Sequence, residues 1–100
     1  MKRLLLPPML ALAVTLPAAA DQKLAEKKNC LACHGVKEKI VGPAFKDVAA
    51  KYAGQADASA MLAGKIKKGG TGVWGQMAMP PNDVTDAEAK TLADWVLATK

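Results

Sequence analysis

A chain of 100 residues that is 51% hydrophobic, yet has only one Phe, one Tyr and two Trp, has room for one small domain whose core is filled largely by alanine. Fourteen Lys and Arg against nine Asp and Glu give a formal net charge of +5. The only arginine is Arg3, so nucleic acid is not expected among the partners.

The chain begins with Lys2 and Arg3, an apolar stretch from Leu4 to Leu16, and the small residues Ala18, Ala19 and Ala20. These are the three parts of a secretory signal peptide, expected over residues 1–20. Its apolar core is too short to span a bilayer and is interrupted by Pro7 and Pro8. No second long apolar run follows, so no membrane anchor is expected. The mature domain is expected over residues 21–100, exported and soluble. A domain of about that size buries only ~60% of its unfolded surface and often needs a staple, a metal or a cofactor. With so few large side chains, something bulky is missing from the core.

Removing Lys2 and Arg3 leaves twelve lysines against nine acids, a net charge of +3. Seven of these lysines fall between Lys23 and Lys51, while four of the nine acids fall between Asp83 and Asp94. That asymmetry suggests a basic face suited to acidic partners.

A first helix is expected over Asp21 to Asn29, with Asp21 in the N-cap region and Lys27 and Lys28 at the end favoured by the helix dipole. A loop runs from Gly35 to Gly42-Pro43, followed by a second helix over Ala44 to Tyr52 that Gly54 ends. Asp57 is placed to cap a third helix running to Lys68. From Gly69 to Val84 the Gly, Pro and Asn content predicts a loop. A loop that long in a small domain is expected to be functional or wrapped around something. Thr85 and Glu88 form a capping box. Beyond it Ala89, Leu92, Ala93, Val96 and Leu97 make one apolar stripe at helical spacing. Trp95 lies beside that stripe and reads as packing. No stretch alternates like a strand, so the fold class is all-α, with about four short helices.

The segment "NCLACHG", Asn29 to Gly35, holds both cysteines and the only histidine. A thioredoxin-like Cys-x-x-Cys calls for a βαβ context that the chain lacks. A structural zinc site needs four ligands, and Cys30, Cys33 and His34 exhaust the cysteines and histidines. A Cys30–Cys33 disulfide would close a loop too short to stabilise much. The remaining reading is covalent haem attachment, for which Cys-x-x-Cys-His is the signature. Two thiols about one helical turn apart can add to the two vinyl groups on one porphyrin edge, and the next histidine then reaches the iron. Such a haem would also supply the missing bulk.

"CLACH", "VGPAFKDVAAKYAG" (Val41 to Gly54), "GKIKKGG" (Gly64 to Gly70), "GVWG" (Gly72 to Gly75), "MPPN" (Met79 to Asn82) and "DAEAKTLADWVL" together carry a resemblance. Over Asp21 to Lys100 the chain resembles the small class I c-type cytochromes of the bacterial c-551/c-552 group. The resemblance implies one haem c held through Cys30 and Cys33, in a monomeric, periplasmic electron carrier rather than an enzyme. In place of the prolines that the family commonly has just before its ligand methionine, this chain has Met77 and Ala78. Asn29 stands where the family often has glycine.

A haem with two protein ligands mainly passes electrons, whereas an open position binds or activates small molecules. With His34 already used, the second ligand must be a methionine or, less readily, a lysine. The mature chain offers Met61, Met77 and Met79. The resemblance selects Met79 of "MPPN", with Pro80 and Pro81 stiffening its loop; Met77 is the alternative. It further implies that the Pro43 carbonyl accepts the free N–H of His34. By the same resemblance, Trp74 and Lys65 meet a haem propionate, and Asn82 donates to the Met79 sulfur. Lys28, Lys37, Lys65 and Lys67 are the candidates for orienting acidic redox partners. A haem enzyme or gas sensor, and a thiol oxidoreductase, are the rival functions.

Overall fold

The computed structural model describes residues 18–100, with side chains from Asp21 onward. The expected signal segment therefore lies almost wholly outside the described residues. Four helices follow in order: α1 (Ala18–Lys27), α2 (Phe45–Tyr52), α3 (Ala58–Lys68) and α4 (Asp86–Leu97), with a 3-10 turn over Cys30–Ala32 between the first two. Among the described residues there are no strands, only isolated bridges between His34 and Lys39 and between Gly70 and Met79. The all-α expectation stands.

Helix α4 is the hub, packing against α1, α2 and α3. Its start is fixed as the sequence requires: Thr85 Oγ1 accepts from the Glu88 N–H at 3.1 Å, and Glu88 Oε1 accepts from the Thr85 N–H at 3.0 Å. A cap of this kind contributes roughly 1 kcal/mol. Ala89, Leu92, Ala93 and Val96 of the stripe are buried, and Leu97 only partly so. Phe45, Val48 and Tyr52 from α2 and Leu62 from α3 complete one cluster with Ala93 and Val96. Ala25, Val84, Ala89 and Leu92 form a second. Alanines sit at the helix contacts, and Leu92 is the largest fully buried side chain.

Two helix boundaries differ from expectation. Helix α1 is described from Ala18, so Asp21 lies within it rather than at its cap. It also ends earlier, at Lys27, because Asn29 adopts φ 63°, the left-handed region that stops an α-helix. Asn29 is the one non-glycine residue with positive φ among those described. Asparagine tolerates this conformation better than most residues, which suits it to the end of this helix. Asp57 does occupy the N-cap of α3, but its side chain makes no capping hydrogen bond, since its backbone is not extended (φ −96°, ψ 4°). Gly54 follows α2 with φ 78°, as a helix end needs.

Residues 69–85 carry no regular element, as the composition predicts. The base of this loop is closed by paired backbone bonds, Gly70 N–H to the Met79 carbonyl at 3.0 Å and Met79 N–H to the Gly70 carbonyl at 2.8 Å. Gly69 must be glycine there: its φ is 77°, and an added Cβ would stand 2.9 Å from the Pro80 carbonyl carbon. Lys28 ties α1 to the start of α4, donating to the Asp83 carbonyl at 2.9 Å and lying 3.8 Å from Glu88 Oε1.

Candidate functional site

The four helices do not close their core. A cavity of about 280 Å³, partly open to solvent, lies between the cysteine turn, α2, α3, α4 and the long loop. Its wall is mainly apolar, with Phe45, Val48, Leu62, Ile66, Leu92 and Val96 among its lining residues. Here is the missing bulk that an alanine-rich, aromatic-poor core implies.

The 3-10 turn places one wall. The amides of Cys33 and His34 both reach back to the Cys30 carbonyl, at 3.2 and 2.9 Å. This brings Cys30, Cys33 and His34 to the cavity. Cys30 is half-buried, Cys33 is exposed, and the two are unbridged. Burial pushes the Cys30 thiol above its ordinary pKa, and its backbone hydrogen bond offsets that only in part. Among the described residues no group of three His, Cys, Asp or Glu side chains gathers as a metal site, which disfavours zinc.

His34 is held on three sides. Its Nδ1 lies 2.8 Å from the Pro43 carbonyl oxygen. A carbonyl can only accept, so Nδ1 carries the proton of this bond and Nε2 is left free of it. The ring stacks on Phe45 at a centroid distance of 4.9 Å, and Phe45 in turn meets Trp95 edge-on at 5.3 Å. Trp95 is thus a packing residue, as its position beside the α4 stripe predicts, and it lines the cavity as well. On the third side stands Gly42, whose missing side chain leaves room for the imidazole. An added Cβ would stand 2.8 Å from Nδ1 and 3.0 Å from Nε2. Gly42→Ala is therefore expected to push the ring off the Pro43 carbonyl and to cost about 1–3 kcal/mol through overpacking. Chemical denaturation of the holoprotein measures this; a midpoint equal to wild type would show that the contact is relieved without cost.

The opposite wall is the long loop. Met79, half-buried and pinned by its two backbone bonds to Gly70, lines the cavity. Met77 also lines it but is 73% exposed. Met61, on α3, packs partly buried against the first core cluster. Trp74 and Lys65 reach the same cavity, with Trp74 44% exposed.

Asn82 differs from expectation. Its amide nitrogen donates to the Ile66 carbonyl at 2.8 Å and lies 3.5 Å from the Pro80 carbonyl, rather than donating to the Met79 sulfur. Ile66 lies near the end of α3, and a free carbonyl in a helix's last turn is a stronger acceptor than a thioether. Asn82 here anchors the loop to α3.

The lysines also sort differently. Lys28 and Lys67 are ion-paired, with Glu88 and Asp86 respectively. Lys37 is exposed, and Lys39, which the sequence did not single out, lines the cavity's exposed edge. Phe45 and Gly42 were likewise hidden in the sequence, because only the return of the chain after the loop brings them to His34.

The donor set fits a haem. Two thiols, an imidazole with a free Nε2 and a thioether surround one apolar cavity, and among the described residues no buried side-chain N or O atom lacks a partner. Comparison with known proteins agrees. The family model described as cytochrome c matches residues 18–100, and the chain belongs to the cytochrome c family. Within that family its relatives are of the class I c-551/c-552 group. Cytochrome c-552 of Nitrosomonas europaea is 62% identical over 91 residues, covering 90% of this chain and 88% of that one. Cytochrome c-551 of Ectopseudomonas mendocina is 61% identical over 82 residues, covering 82% of this chain and all of that one. The crystal structure of wild-type Nitrosomonas europaea cytochrome c552 superposes with a TM-score of 0.77 at 62% identity, over 79% of this chain and 99% of that one. The protein is an electron carrier, not an enzyme, and its cofactor is haem c attached through Cys30 and Cys33.

Proposed function

We propose that the protein is a periplasmic single-electron shuttle whose haem iron is held between His34 and Met79. The observation that carries this reading is the meeting of Cys30, Cys33, His34 and Met79, from two distant segments, around one apolar cavity. When bound, the haem supplies a one-electron couple at its iron. The chain's own residues do the rest. Cys30 and Cys33 fix the group covalently. The Pro43 carbonyl, by holding the Nδ1 proton, keeps Nε2 available and raises its basicity. Met79, held by backbone bonds and followed by two prolines, supplies a thioether without a search through loop conformations. A methionine ligand raises the potential relative to many other sets. Met77 is exposed and lies outside the bridge that holds Met79, which supports Met79 as the ligand. Trp74 and Lys65 provide an N–H and an ammonium on the cavity wall for a propionate. Asn82 serves the same site indirectly, by tying the methionine loop to α3.

Residues 1–20 are read as the signal that sends the chain to the periplasm. Among the described residues no helix is long and apolar enough to cross a membrane. Partners are read as redox proteins with acidic docking faces, meeting this protein as a monomer. Because Lys28 and Lys67 are already paired, the candidates that remain are Lys37 and Lys65, joined by Lys39 at the cavity's edge. The test is stopped-flow electron transfer with an acidic redox protein. Rates are expected to fall on the order of tenfold or more as the screening length shrinks from about 30 Å at 0.01 M salt to about 10 Å at 0.1 M. Rates independent of ionic strength would remove the docking claim.

A further inference from the structure

The long loop carries Trp74 between Gly72 and Gly75, whose φ angles of 95° and 126° lie in the region that favours glycine. Between Gly70 and Met79 the loop's own bonds fold it on itself or close its base: Thr71 Oγ1 to the Gln76 carbonyl at 3.2 Å, Gly72 N–H to the Gly75 carbonyl at 3.0 Å, and the Gly70–Met79 pair; its anchor to α3 through Asn82 comes only after Met79. What reaches Trp74 from the helical body is Lys51. Its Nζ lies 5.4 Å from the centre of the Trp74 ring and 5.9 Å from that of Tyr52, a buried residue of α2. Both distances are within the ~6 Å at which an ammonium is attracted to an aromatic face. Lys51 has no ion-pair partner among the described residues, so no carboxylate competes for it.

We propose that Lys51 is a positioning residue, a charged clasp that joins the Trp74 ring on the loop to the Tyr52 ring on the body and so holds the loop across the cavity. The clasp itself rests on this geometry. Its consequence for a propionate at Trp74 rests on the proposed function. The sequence alone gives no sign of it, since Lys51 reads as one more solvated lysine at the end of α2.

The test is amide hydrogen exchange of the holoprotein at Gly70 and Met79, whose N–H groups close the loop's base and exchange when the loop opens. An exposed cation–π contact of this kind corresponds to an acceleration of about two- to fivefold when it is lost. Lys51→Met, which keeps the stem and removes the charge, is expected to show that acceleration. Lys51→Arg, which keeps a cation over the rings, is expected to return to the wild-type rate. In a Trp74→Leu background, adding Lys51→Met is expected to change nothing further. No acceleration, an Arg variant as fast as the Met variant, or an equal acceleration without the Trp74 ring would each overturn the proposal. The far-red absorption band of the same samples reports on His/Met ligation separately. Its loss in the wild type would sink that reading while the exchange rates still decide the clasp.

Discussion

Replacing both Cys30 and Cys33 with alanine is expected to leave a protein whose mass under denaturing conditions contains no haem. Its unfolding midpoint should then depend on the concentration of added haem. The first result follows from chemistry: no other thiol exists to form the bond. The second follows from packing. The core is built around a cavity, with Leu92 as its largest fully buried side chain, so the group that fills the cavity is part of what stabilises the fold. Once the group is no longer covalent it stabilises by mass action, rising with the logarithm of its concentration. The two cysteines are not equivalent. Cys30 packs against both core clusters whereas Cys33 is exposed, so Cys30→Ala should lower the denaturation midpoint more than Cys33→Ala. Intact mass spectrometry with denaturant titrations checks both statements. A haem-sized mass surviving in the double variant would contradict the attachment.

The second large effect is expected at Met79. Met79→Ala should abolish the weak far-red band of iron–sulfur bonding in the ferric protein and lower the midpoint potential by a sizeable part of the ~0.8 V range that axial ligands set. Met77→Ala should leave both unchanged. The reasoning is one of reach. Met79 is fixed on both sides of its backbone to Gly70, while Met77, two residues earlier, is largely in solvent. Potentiometry with optical detection measures band and potential together. Loss of the band in Met77→Ala with retention in Met79→Ala would reverse the assignment.

How much of this was legible beforehand depended on the range of the interaction. Helix α4 and its cap were legible because both signals are local: a stripe at helical spacing and a Thr-x-x-Glu box. The Cys-x-x-Cys-His turn was legible for the same reason. The missing bulk could be inferred from composition, because alanine cannot fill a core whatever the topology. At the front of α1, an acidic residue near a helix N-terminus looks the same at the cap and inside the helix, where Asp21 lies. Its end depended on a left-handed Asn29, which asparagine permits but does not announce.

Side-chain choices between distant partners were the hardest to foresee. For Asn82 the resemblance offered only the Met79 sulfur as acceptor, and only the fold shows the Ile66 carbonyl to be within reach. Lys28 and Lys67 read as free charge until α4 brings Glu88 and Asp86 beside them. Gly42 read as a turn residue, yet its lack of a side chain is what admits the His34 ring. In each case sequence supplied the chemical type and the chain's return supplied the partner.

The most direct test of a closed, His/Met-held electron carrier is one set of absorption spectra of the holoprotein: oxidised, reduced, and reduced under carbon monoxide at neutral pH. Such a carrier is expected to show the sharp reduced bands of a low-spin c-type haem, a far-red band in the oxidised state, and no change on adding carbon monoxide. A reduced spectrum that shifts at once under carbon monoxide, with the far-red band absent, would mean an open iron position and would move the protein to the haem enzymes or gas sensors.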